Sequence, residues 1–116
     1  MQIDILDHVA GARDARGIAV VIDVFRAFTV APHAFDAGAA RVLPAGEVEE
    51  ALELGRRIPG AVLAGERNAR RLPGFDAGNS PTEIRALDLR GKVLVHTTHA
   101  GTQGLVNARD ADEVLT

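Results

Sequence analysis

The sequence predicts an α/β fold, with helices layered on both faces of a mixed or mostly parallel sheet, and three observations carry that expectation. Ile18 to Val24 is an apolar run broken only by Asp23, rich in β-branched residues, with the length and character of a strand buried on both faces. Glu47 to Ile58 has the helical period, with Val48, Ala51, Leu52 and Gly55 towards a core and Glu47, Glu49, Glu50 and Glu53 outside. Of the 116 residues 47% are apolar, and they are drawn from Ala, Val, Leu and Ile with four Phe and no Trp or Tyr. That suits an aliphatic interior, not an aromatic base-stacking platform. A chain of this length is one domain, residues 1–116, or part of one.

Taken in order, Gln2 to Leu6 alternates Ile3 and Ile5 with polar neighbours and predicts a short strand with one buried face. The Gly-containing stretch Asp7 to Gly17 links it to the strand Ile18 to Val24. Ala27 to Ala37 predicts a helix whose first turns hold Pro32 and which Gly38 ends. Arg41 to Ala45 is a brief strand that Pro44 moves to a sheet edge. In the helix Glu47 to Ile58 the acids crowd the first half and Arg56 and Arg57 the end, as the helix dipole prefers, so those charges make a solvated face. Ala61 to Ala64 is a short buried strand. Ser80-Pro81-Thr82-Glu83 is a capping box opening a further helix, Val93 to His96 a strand, Gln103 to Ala108 a helix, and Glu113 to Thr116 the start of another strand.

Net charge is −3, so neither nucleic acid nor an anionic membrane is attracted by the chain as a whole. The absence of cysteine excludes disulfides and thiolate metal sites and fits a reducing compartment. No apolar run approaches a membrane span, and the first residues carry acids where a secretory leader would carry bases. These features predict a cytoplasmic protein with no membrane and no nucleic-acid partner.

Chemistry concentrates in three places. Asp23 is a carboxylate in an apolar strand, expensive unless paired or metal-bound, although it also reads as the polar end of that strand. With Arg26 and Thr29 it brings a carboxylate and a bidentate donor to the start of a helix, the ingredients of an anion or metal-phosphate site. Gly65 to Pro81 (GERNARRLPGFDAGNSP) has only Leu72 and Phe75 as large apolar residues, and a connection of that length is functional or disordered. Its turn and cap signals argue against disorder. Thr97 to Gly104 sets hydroxyls and glycines between a strand and a helix, a phosphate cradle without the P-loop signature. His96 and His99 lack a third imidazole nearby, which speaks against zinc.

In order and spacing, VVIDVFRAFTV (Val20 to Val30), GERNARRLPGFDAGNSP (Gly65 to Pro81) and HTTHAGTQG (His96 to Gly104) resemble the 2-phosphosulfolactate phosphatase, or ComB-like, family. The resemblance implies a Mg²⁺-dependent hydrolase that releases phosphate from 2-phospho-3-sulfolactate, a small anionic phosphorylated substrate, in coenzyme M biosynthesis. The family pattern falls on Asp23, Arg26 and Thr29, on Glu66, Gly74, Phe75, Asp76, Gly78, Asn79, Ser80 and Pro81, and on Thr97, Thr98, Gly101 and Thr102. It implies Asp23, Arg26, Glu66 and Asp76 as catalytic residues, with Asp23, Glu66 and Asp76 offering the oxygen ligands a hard cation takes. Thr29, Arg67, Asn79, Ser80, Thr97, Thr98, Gly101 and Thr102 become the substrate-binding set, the N–H groups around Thr98 to Thr102 holding the phosphate. Phe25, Phe28 and the pair His99-Ala100 depart from the pattern. Members of the family are longer, so the resemblance implies an N-terminal portion that exposes apolar surface and an unpaired edge, associates (a homo-oligomer being one form of this), and has little activity alone. Two alternatives remain: a phosphate-binding module without turnover, and a phosphatase of the family acting on another small phosphorylated acid.

Overall fold

The computed structural model describes residues 1–116. Its main sheet is built from β2 (Arg41–Pro44), β3 (Val62–Arg67), β4 (Arg70–Arg71) and β5 (Val93–Thr97), in the order β2-β5-β3-β4. The three longer strands are parallel and the two-residue β4 runs antiparallel to the end of β3. The alternation of side chains along the central strands supplies two cores. Val62 and Ala64 of β3 and Leu94 of β5 face Val30 and Ala34 of α2 (Ala27–Asp36) and Ile84 of α4 (Pro81–Arg85). Val95 and Leu63 face the opposite way, towards Ala51 and Leu52 of α3 (Val48–Arg57) and towards Phe75. The result is the expected three-layer α/β/α arrangement, with β2 as the edge strand that Pro44 predicts.

Gly65 is fixed by the closeness of β3 and β5. A Cβ there would stand 2.5 Å from the carbonyl oxygen of Thr97, its register partner, so no larger residue fits between the strands at this point.

Several expectations are corrected. Gln2 to Leu6 has no partner strand and lies exposed, because an isolated extended segment has nothing to satisfy its backbone groups. α1 (His8–Gly11) and a 3₁₀ turn at Ala12–Asp14 follow it. The strand predicted over Ile18 to Val24 is only β1 (Ile18–Val20), paired in parallel with β6 (Glu113–Leu115) as a separate two-stranded sheet. It is not buried on both faces: Ile18, Val20, Ile22 and Val24 form an exposed ridge ending at Phe25, which is 90% exposed. A two-stranded sheet has no layer on its outer side to cover such a ridge.

β3 continues to Arg67, three residues beyond its predicted end, and the chain then turns back at Asn68 and Ala69 into β4, so the stretch from Gly65 opens as an ordered hairpin. The helix expected at Gln103 begins at Gly101, as α5 (Gly101–Asn107), and a 3₁₀ turn at Ala108–Asp110 leads to β6. The capping box at Ser80 is half formed. Ser80 Oγ accepts from the N–H of Glu83 at 3.5 Å, but the Glu83 carboxylate takes the N–H of Gly78, not that of Ser80. No helix is long and apolar enough to cross a membrane.

Candidate active site

The parallel strands β3 and β5 deliver the start of the second motif and the third motif to one end of the sheet, where the first motif meets the third. β3 ends in Glu66 and Arg67, and β5 ends in Thr97, which leads through Thr98 and His99 into α5. Glu66, 9% exposed, accepts one N–H on each carboxylate oxygen: Oε1 from His99 at 2.9 Å and Oε2 from Ala69 at 2.8 Å. It therefore binds the hairpin to the loop after β5. Arg67 reinforces the junction, donating to the carbonyl of Glu66 at 2.8 Å, to the carbonyl of Gly46 at 3.2 Å and to Oγ1 of Thr97 at 3.1 Å. The side-chain amide of Gln103 donates to the same Gly46 carbonyl.

Thr98 and Thr102 are locked together. The N–H of Thr98 donates to Oγ1 of Thr102 at 2.7 Å, the N–H of Thr102 to Oγ1 of Thr98 at 3.1 Å, and the Thr102 hydroxyl to the Thr98 carbonyl at 3.2 Å. Both are buried. With His99 held by Glu66, the cradle is narrower than the sequence suggests: between Thr98 and Thr102 only the N–H groups of Ala100 and Gly101 lack an acceptor.

The first motif meets the third at Gly101. A Cβ on Gly101 would lie 2.5 Å from Oδ2 of Asp23 and 2.5 Å from Cβ of Ala27, so the Asp23 carboxylate rests directly against the glycine backbone. Asp23 makes no side-chain hydrogen bond or ion pair. Arg26, at the N-terminal boundary of α2, is exposed and likewise unpaired.

Other residues singled out from the sequence are engaged elsewhere. The Thr29 hydroxyl donates to the carbonyl of Val24 and Ser80 caps α4. Asp76 lies beside the first residues of β3, away from its end: its carboxylate accepts the N–H of Leu63 at 2.8 Å and its own N–H returns to the Leu63 carbonyl at 2.9 Å. Asp23, Glu66 and Asp76 are consequently not one ligand set, and no three His, Asp or Glu residues stand close enough to hold a metal ion together. The reason is that both carboxylates are taken up by backbone N–H groups, Glu66 by those of Ala69 and His99 and Asp76 by that of Leu63.

Asn79 and His96 form a pair that sequence reasoning missed. His96, 2% exposed, places Nε2 3.1 Å from Oδ1 of Asn79. Burial lowers its pKa from 6.5 to about 4, against the opposing pull of the Glu66 carboxylate. The ring is neutral and carries its proton on Nε2, the atom facing an acceptor. A histidine within the apolar strand VLVHT was the available signal.

The chain is similar in sequence to known proteins. A probable 2-phosphosulfolactate phosphatase of Carboxydothermus hydrogenoformans is 40% identical over 116 residues, covering 99% of this chain and 48% of its own length. Those of Thermotoga petrophila and Clostridium beijerinckii are 45% and 38% identical over 97 and 120 residues, covering 84% and 99% of this chain and 41% and 50% of their own. The chain thus spans about half the length of the curated relatives it matches. Residues 4–116 match the 2-phosphosulpholactate phosphatase family, and the chain belongs to that family.

Proposed function

We propose that this chain carries the phosphate-binding part of a phosphatase that hydrolyses the monoester of 2-phospho-3-sulfolactate to 3-sulfolactate and phosphate, with Mg²⁺, in coenzyme M biosynthesis. The observation that carries the proposal is the meeting of Asp23 with Gly101, next to the unpaired N–H of Ala100, in a chain that matches the family over residues 4–116. A partly exposed carboxylate and two N–H groups with no protein acceptor stand side by side there, free to take a ligand in place of water.

Mg²⁺ is held by one or two carboxylates and takes its other ligands from water and substrate phosphate, and Asp23 fits that requirement as Glu66 and Asp76 do not. Bound there, the ion would neutralise charge on the phosphoryl oxygens. The chain's own groups position the ester. The N–H groups of Ala100 and Gly101 donate to phosphoryl oxygens, Arg26 at the start of α2 supplies a free guanidinium for them, and the Thr98–Thr102 pair keeps the loop from yielding. Phosphoryl transfer asks mainly for such positioning and charge stabilisation.

The test is phosphate release from 2-phospho-3-sulfolactate, with Mg²⁺ and with chelator, by these residues joined to the second half that the curated relatives carry. Chelator should abolish turnover, and Asp23→Asn should lower it by about 100-fold with the fold intact. Turnover indifferent to chelator would refute the Mg²⁺ mechanism, and phosphate binding without turnover would favour the non-catalytic module.

A further inference from the structure

β1 and β6 form a parallel pair that stands apart from the main sheet, and only one of its faces is covered. Val21, next after β1, turns towards α5: a Cβ on Gly104 would stand 3.0 Å from its Cγ1. Ile18, Val20 and Ile22 point the other way by alternation, joined by Leu115, the register partner of Val20, and all four are exposed. Val24 and Phe25 prolong the ridge. Parallel strands are covered on both faces in nearly every fold, and a pair alone is marginal in water. An apolar ridge on a chain half as long as its curated relatives therefore marks where the rest of the fold packs.

The pair also has two open edges, which its hydrogen bonds tell apart. The N–H of Val21 donates to the carbonyl of Leu115 at 2.8 Å, and the N–H of Glu113 to the carbonyl of Gly17 at 3.2 Å. Backbone groups alternate in direction along a strand, so those of Val20 and Ile22 face the open edge of β1 and those of Val114 the open edge of β6. The N–H of Ile22 makes no hydrogen bond.

We propose that the second half carried by the curated relatives folds onto this pair, laying a helix over the ridge and adding a parallel strand to the open edge of β1. Handedness decides the edge, because crossovers between parallel strands are right-handed. The chain passes from β1 to β6 with α5 on the Val21 face. A further crossover over that same face would lead outward from β6, whereas one over the bare face returns across β1 to its far side. Only the second covers the ridge. The direction of winding then reverses between β1 and β6, and ligands in such sheets sit at the reversal, outside the carboxyl ends of the strands. Asp23 stands there, just past the end of β1. This completion of the fold is independent of the phosphatase reading, since it rests on packing and handedness alone.

The test compares the 116-residue chain with the same residues joined to the second half of a curated relative, by amide hydrogen exchange. In the joined protein the N–H groups of Val20 and Ile22 should exchange slower by about 100-fold or more, while that of Val114 is unchanged. Val20→Asp should lower the melting temperature of the joined protein and leave that of the 116-residue chain nearly unaltered. Free exchange at Val20 and Ile22 in the joined protein, protection at Val114 in their place, or an equal effect of Val20→Asp on both proteins would overturn the proposal. So would protection that appears in the 116-residue chain and grows with its concentration, which would give the ridge to a second copy of the chain.

Discussion

The N–H of His99 donates to Oε1 of Glu66 at 2.9 Å across a separation of 33 positions, and this bond, with its counterpart at Ala69, fastens the hairpin to the loop after β5. Glu66→Ala would remove the acceptor that joins two backbone donors at a half-buried junction. We expect a loss of roughly 1–2 kcal/mol, with Glu66→Gln losing about half of that. Denaturant unfolding gives the magnitudes, and faster amide exchange at Ala69 and His99 would locate the effect.

His96 should make the fold sensitive to mild acid. Its folded-state pKa lies near 4, below the ordinary 6.5, so the unfolded chain binds the proton more readily. Stability is complete above pH 6.5 and declines as pH falls towards 4, by roughly 3 kcal/mol in all. In His96→Gln that decline should be missing from the difference between neutral and acid unfolding curves. An equal decline in both proteins would assign the acid response to other groups.

Asp23 and Asp76 should behave oppositely. Asp23 has no internal bond, so Asp23→Asn should leave the melting temperature nearly unchanged while activity falls. Asp76 supplies the acceptor for the Leu63 N–H, so Asp76→Ala should cost about 0.5–1.5 kcal/mol of stability, and Asp76→Asn, which keeps an oxygen, less. Thermal unfolding alongside phosphate release separates the two.

Gly101→Ala would place a methyl group 2.5 Å from both Oδ2 of Asp23 and Cβ of Ala27. One side must move, and the cost should be about 1–3 kcal/mol. Loss of anion binding exceeding that expected from the melting temperature would show that Asp23 is what moved.

The layered fold was legible because the amphipathic helix at Glu47 to Ile58 and the Val- and Leu-rich strands carry their periods openly. Pro44 marked the edge for a purely local reason, its missing N–H. The ridge from Ile18 to Val24 was misread because composition reports what a strand could bury, and only the number of neighbouring strands decides whether it does. Within the site, residue identity pointed to Glu66 and Asp76 as ligands, yet a carboxylate that caps a strand has the same letter as one that binds a cation. The hairpin was invisible for a related reason: Arg70 and Arg71 have no apolar alternation, and β4 exists because β3 continues beside it.

Ala69 sits in that hairpin at φ 60, next to Asn68 at φ 53. Asparagine tolerates this left-handed backbone, but alanine, having a Cβ of the wrong hand for it, costs roughly 1 kcal/mol. Glycine at 69 would relieve the clash, and Ala69→Gly should raise stability by up to about 1 kcal/mol, less the extra freedom it gives the unfolded chain. The N–H that Glu66 receives thus comes from a residue whose chirality opposes the turn, and among the other residues only those that tolerate a left-handed backbone, as Asn68 does next to it, would ease that opposition.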